Sequence, residues 1–292
     1  MEKEDRNRRI QDDPVDTSLM DRSGDPIGVF DSGVGGLSVL RALRAELPHE
    51  KFVYVADSAH APYGERDDTH VILRSVAIAR SLVEQHQIKT LVVACNTATA
   101  AAIKQLRQSF VDLPIVGIEP ALKPAASQSQ TKRIGVMATR TTLNSEKFRT
   151  LLASLHDQAR FVLQPCDGLA DAIERDDATK IIAACTDYTR AMGRFGSEVD
   201  ELDTLVLGCT HYPFAHAVLR AQVGDGVAFV EGGAPVARQT RKLLAERGWL
   251  APAGAAAGPD PVLYATGNTD NLQAAVQRWL QWPASVQTLG MV

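Results

Sequence analysis

The sequence predicts an α/β protein made of two similar parallel-sheet α/β domains related by pseudo-twofold duplication. Three observations predict it. From Pro26 onward, short apolar and β-branched runs alternate with helical stretches, the pattern of parallel sheets flanked by helices. Thr90–Asn96 (TLVVACN) and Thr204–Thr210 (TLVLGCT) share Thr, Leu, Val and Cys. Ile27–Val29 (IGV) recurs at Ile134–Val136, and both repeats are separated by roughly 110 residues, the size of an ordinary domain. A thiol closing each of two matched strands places the active site in the cleft between the domains.

Each element follows from local pattern. Residues 1–25 mix acidic and basic side chains with almost no apolar periodicity, so they are expected to form a mobile tail. Strands are expected at Ile27–Phe30, Phe52–Ala56, Leu91–Ala94, Ile115–Ile118, Ile134–Met137, Leu205–Leu207 and Val227–Val230. Helices are expected from about Gly36, over Thr69–Gln85, Asn96–Ser109, Ser145–Ser154 and Ala178–Met192, and from about Pro213 to Gln222. Ala251–Pro261 (APAGAAAGPDP) reads as a loop, followed by a strand at Val262–Thr266 and a helix at Asn271–Trp282. The expected domains are 26–118 plus 230–292, and 119–229.

Composition excludes several classes of function. The chain has 292 residues, 45% of them hydrophobic and 23% charged, and a formal net charge of -4, with basic residues scattered and not clustered. No nucleic-acid surface is expected from that balance. No apolar run approaches the roughly 20 residues needed to span a bilayer, and the N-terminus lacks a signal-peptide core. No membrane association and a cytoplasmic location are expected. The four cysteines form no CxxC pair, so free thiols are expected in a reducing compartment.

Cys95 closes a buried strand and opens an alanine-rich helical segment, and Cys209 has the same relation to the helix expected after Pro213. Ligand crevices lie at the carboxyl ends of such strands. Amide groups at a helix N-terminus are expected to lower a nearby thiol's pKa from its usual value of about 8.5. Asp31 ends another strand, inside Phe30–Gly36 (FDSGVGG), where it could alternatively cap the next helix. The glycines there do not make a dinucleotide fingerprint, because Ser38 stands where GxGxxG needs glycine. His211, two residues after Cys209, can exchange a proton with that thiol or cap a helix. A zinc site on Cys95, Cys209 and His211 is disfavoured, since structural zinc ligands come in closer pairs, and no metal is expected. Tyr63 sits in a Pro-Gly turn (APYG), while Asn96, Thr97, Thr139 and Thr142 stand near strand ends, with capping as their default role. Cys166 and Cys185 read as structural.

In order along the chain, FDSGVGGLSVL, ADSAHAPYG, ACNTAT, GIEPALKPA and GCTHYPF resemble the glutamate racemase family of the aspartate/glutamate racemase superfamily, from about Pro26 to Trp282. The resemblance implies a cofactor-independent 1,1-proton transfer at Cα of glutamate that yields D-glutamate for peptidoglycan. It implies that Cys95 takes the proton from D-glutamate and Cys209 from L-glutamate, assisted by Asp31 and His211 respectively. By the same matching, Ser32, Pro62, Tyr63, Gly64, Asn96, Thr97, Thr139, Thr142 and Thr210, with Asp31 and Glu174, hold the substrate. A homodimer is suggested by the family alone. The chain departs from the family pattern at Glu231–Gly233 (EGG), where aspartate, serine and glycine are usual. The competing readings are a superfamily relative acting on aspartate or another acidic substrate, and a two-lobed binding protein whose cysteines merely pack.

Overall fold

The computed structural model describes residues 21–252, 254, 256–283 and 285–290. Ten strands form two wholly parallel sheets. The first contains β1 (Ile27–Asp31), β2 (Phe52–Ala56), β3 (Thr90–Val93), β4 (Ile115–Gly117), β9 (Val262–Ala265) and β10 (Val286–Thr288), ordered β10-β9-β2-β1-β3-β4. The second contains β5 (Arg133–Ala138), β6 (Arg160–Pro165), β7 (Thr204–Leu207) and β8 (Ala228–Glu231), ordered β6-β5-β7-β8. Within each sheet the first four strands run second, first, third, fourth, so both share one winding plan. The backbone makes the match residue by residue. Ala94 N–H donates to Phe30 O and Gly208 N–H to Met137 O, which gives Cys95 and Cys209 equivalent positions.

Strand side chains alternate between two packed faces. On the first sheet, Ile27, Val29, Tyr54 and Val92 meet α1 (Leu37–Glu46), α10 (Gly233–Glu246) and α11 (Thr269–Ala275). Phe30, Val53, Val55 and Val93 point the other way, onto α2 (Asp68–His86) and α3 (Asn96–Ser109). The second sheet buries Met137, Leu205 and Leu207 against α7 (Leu169–Glu174), α8 (Ala178–Met192) and α9 (His216–Val223). Ile134, Val136 and Val206 face α4 (Leu122–Gln128) and α6 (Glu146–Ala153), which follows the single turn α5 (Arg140–Asn144). Such two-sided burial is why the strands read as continuous apolar runs. Asp67, Asp177 and Ser145 cap α2, α8 and α6 by accepting from His70, Lys180 and Phe148 N–H.

Several elements differ from the sequence reading. β6 was not foreseen: it is a half-exposed edge strand ending in Pro165, and so lacks both apolar continuity and clean alternation. After Cys209 the chain forms a 3₁₀ turn, Tyr212–Ala215, before α9, whereas α3 starts directly after Cys95. Of the tail expected over residues 1–25, residues 1–20 lie outside the described residues. Residues 21–25 are held to the core: the Arg22 guanidinium donates to the carbonyls of Gln87 and Ile88. Lys89 Nζ donates to Ser23 O and Trp249 O and pairs at 2.5 Å with Glu50, both charges being buried at the base of the first sheet.

Candidate active site

The carboxyl ends of β1, β3, β5 and β7 converge on one cavity. Cys95 is itself the N-cap of α3. Its Sγ accepts from Ala98 N–H at 3.4 Å and lies 3.7 Å from Ser32 Oγ, to which it can donate. The expected lowering by the helix terminus does not prevail. Burial, reinforced by the Asp31 carboxylate, pushes the Cys95 thiol up to about 12, while Ala98 N–H and Ser32 pull weakly the other way. At neutral pH Cys95 therefore carries its proton.

Cys209 has no helix amide on its sulfur. Its Sγ lies 3.7 Å from His211 Nδ1, and His211 Nε2 is 2.7 Å from Glu174 Oε2. Burial pulls the imidazole down, but its hydrogen bonds to Cys209 and Glu174 more than reverse this and hold it well above the ordinary histidine value. A protonated His211 donates to Glu174 with one nitrogen and aims the other N–H at the Cys209 sulfur. Glu174 also accepts from Val34 N–H at 2.9 Å and Asn271 Nδ2 at 3.3 Å, joining α7 to the loop after β1 and to α11.

Asp31 is fully buried and accepts from Ser32 Oγ (3.1 Å), Gly33 N–H (2.9 Å) and Thr210 Oγ1 (2.8 Å). It has no direct hydrogen bond to Cys95; the connection runs through Ser32. Burial raises its carboxyl to about 6, against the lowering influence of His211 and of its donors. It does not cap α1, whose first turn has no side-chain cap. The glycines of this loop serve close approach. A Cβ on Gly33 would collide with the Glu174 carboxylate, and one on Gly35 with His211 and with Thr210 Oγ1 at 2.6 Å. Bare backbone therefore lets the loop of one sheet touch the Glu174, His211 and Thr210 side chains of the other.

Ser32, Pro62, Tyr63, Gly64, Asn96, Thr97, Thr139, Thr210 and His211 lie on the cavity wall with both cysteines. Asp31, Thr142 and Glu174 stand one layer behind; Thr142 Oγ1 accepts from Thr139 Oγ1 at 2.9 Å. The wall closes across the two sheets where Thr97 Oγ1 meets Thr139 Oγ1 at 3.3 Å and Thr141 Oγ1 donates to Gly64 O at 2.9 Å. Asn96 Oδ1 is buried without a partner, leaving one acceptor for an incoming donor. Cys185 packs inside α8, as expected of a structural thiol. Cys166 is placed differently: it is buried on the cavity wall at the end of β6. Sequence reasoning also missed Arg140 and Asp167, a 2.5 Å ion pair at the rim. The strand-end positions of Arg140, Cys166 and Asp167 were the available signal, and for the last two it was hidden with β6. Among the described residues no group of three or more His, Cys, Asp or Glu is placed to hold a metal ion. No helix among them is long and apolar enough to cross a membrane.

Residues 35–240, which include Cys95, His211 and Cys209, match the family model for Asp/Glu/Hydantoin racemase. The chain belongs to that racemase family. Glutamate racemase from Ectopseudomonas mendocina is 44% identical over 270 residues, covering 91% of this chain and 99% of the relative. Among solved structures, a glutamate racemase isoform from Bacillus anthracis superposes with a TM-score of 0.80 at 29% identity, covering 92% of this chain and 98% of that one. The Escherichia coli glutamate racemase, solved in complex with L-glutamate, gives 0.78 at 30% identity, covering 92% and 99%. The parallel two-sheet racemase fold is thus common to this chain and to those enzymes.

Proposed function

We propose that this racemase interconverts L- and D-glutamate by a two-base transfer of the Cα proton between Cys209 and Cys95, without a cofactor, and that its D-glutamate serves peptidoglycan synthesis in the cytoplasm. The observation that carries this reading is the pair of thiols at ladder-equivalent strand ends, opening from two sheets onto one cavity. Its working lobes are 26–118 with 230–292 and 119–229, with β8 crossing the second junction.

Cys95 holds a proton and Cys209 faces the His211 imidazolium, so the site is set for Cys209 to take the Cα proton of L-glutamate while Cys95 delivers one to the opposite face. Asn96 Oδ1 accepts from the substrate ammonium. The hydroxyls of Ser32, Thr97, Thr139 and Thr210 and the Pro62–Gly64 wall hold its carboxylates. Without an electron sink, the carbanion is stabilised by these fixed donors in a site closed to water.

Turnover in D2O tests the reading. Newly formed D-glutamate is expected to carry deuterium while unreacted L-glutamate initially carries none; equal early labelling of both pools would mean a single shared base. Parallel assays with L-aspartate separate glutamate from the shorter acidic substrate.

A further inference from the structure

Asp57 is a fully buried carboxylate that the proton transfer does not use. It follows β2 directly and collects donors from three elements. Oδ2 accepts from Tyr63 OH at 2.6 Å and Arg74 Nε at 3.0 Å, and Oδ1 from Arg74 Nη2 at 2.8 Å and Thr266 Oγ1 at 2.7 Å. Arg74 lies on α2 and Thr266 at the end of β9. Thr266 Oγ1 also accepts from Ala59 N–H at 3.3 Å, and His60 Nδ1 is 3.4 Å from Oδ1. One carboxylate therefore gathers the start of the 57–66 loop, its Tyr63 and two flanking elements. Burial pushes the Asp57 carboxyl up, but the Arg74, Tyr63 and Thr266 bonds prevail and hold it below the ordinary aspartate range.

The duplicated plan makes the placement specific. Asp57 N–H donates to Asp31 O as Cys166 N–H donates to Ala138 O, so the two residues hold equivalent positions. In the second sheet that position puts a thiol on the cavity wall. In the first it puts an aspartate behind the wall, turned onto the one phenol ring among the lining residues.

We propose that Asp57 is a positioning residue for the reaction: it fixes Tyr63, and with it the Pro62–Gly64 wall, and its carboxylate accepts the phenolic O–H as a hydrogen bond, so that Tyr63 meets substrate through its ring and backbone and not as an acid. The substrate named here rests on the glutamate reading above. A neutral amide at position 57 turns an NH2 toward donors that need an acceptor, which releases the ring and the wall.

The test is a double-mutant cycle on KM and kcat with Asp57→Asn, Tyr63→Phe and both together. Asp57→Asn is expected to raise KM for L-glutamate about tenfold with kcat changed less than about threefold, and by a clearly smaller factor when added to Tyr63→Phe. Unchanged KM in Asp57→Asn, or the same factor in both backgrounds, overturns the proposal. So does loss of a limb of the kcat pH profile in Tyr63→Phe, which would make the phenol a proton carrier. If Asp57→Asn does not fold, Thr266→Val replaces it in the same cycle with the same criteria. A wild type inactive on glutamate but active on another acidic amino acid refutes the substrate reading alone, and the cycle is then read on that amino acid.

Discussion

Cys95 and Cys209 are equivalent in the backbone ladder and unlike in their surroundings. One is an N-cap facing Ser32 with Asp31 behind it, the other faces an imidazolium held by Glu174. Replacing either by Ala is expected to lower racemisation in both directions by at least about 10²–10⁴-fold, the range for loss of a proton-transfer group; full activity in either variant would remove the two-thiol assignment. Stability should also report on Asp31. Its carboxyl is raised to about 6 in the folded protein from an ordinary 3.8, so the native state binds more protons between those values and stability falls as pH rises through that window. The loss is about 3 kcal/mol in order of magnitude. Urea unfolding of Asp31→Asn from pH 4 to 6 should give a flatter curve than wild type. His211 acts with the same sign at higher pH: raised above its ordinary 6.5, it contributes stability fully present below that value and lost as pH climbs through its folded value. Cys95, Cys209, Asp31 and His211 were legible in the sequence because strand ends and their order along the chain mark them. The raised values of Cys95, Asp31 and His211 were not, since they depend on burial and, for His211, on Glu174, which arrives from a distant helix.

The loop after β1 shows what an element contributes that its motif does not state. In the sequence Gly33 and Gly35 only fall short of a dinucleotide fingerprint, yet each is bare where a side chain of the opposite sheet passes. Gly35→Ala is expected to cost about 1–3 kcal/mol in unfolding free energy through overpacking and to reduce kcat/KM at least about tenfold by displacing His211. Gly24→Ala, with open space around its Cα, is the matched control in the same assays. The apolar strands of both sheets and the long capped helices were readable because periodicity and caps are local. β6 was not, since an edge strand shows solvent half its residues, and β10 is only three residues long. The 3₁₀ turn after Cys209 escaped for another reason: Pro213 and His211 look like an ordinary helix start, and only the packing of Tyr212 in the second core distinguishes them.

At the scale of the molecule, the base of the first sheet is locked by the buried Lys89–Glu50 pair while the opposite end opens onto the cavity. Lys89→Met should destabilise the fold by about 3–5 kcal/mol, because Glu50 is left charged and unpaired, and Lys89→Met with Glu50→Leu should recover most of that loss in thermal or urea unfolding. The duplication was visible in the sequence as two short repeats, whereas the hydrogen bonds that draw the sheets together, Thr210 to Asp31, Ser38 to Thr210 and Thr141 to Gly64, join residues too far apart for any pattern to reveal. The enclosed pair of thiols has one more consequence. On the proposed mechanism each thiol is a single-proton reservoir, so a turnover from L to D leaves Cys209 loaded and Cys95 empty, the form that accepts only D-glutamate. The molecule thus keeps a memory of the last enantiomer it released, and at high substrate concentration the slow event becomes the erasure of that memory by exchange with water, with the cleft open and the site empty.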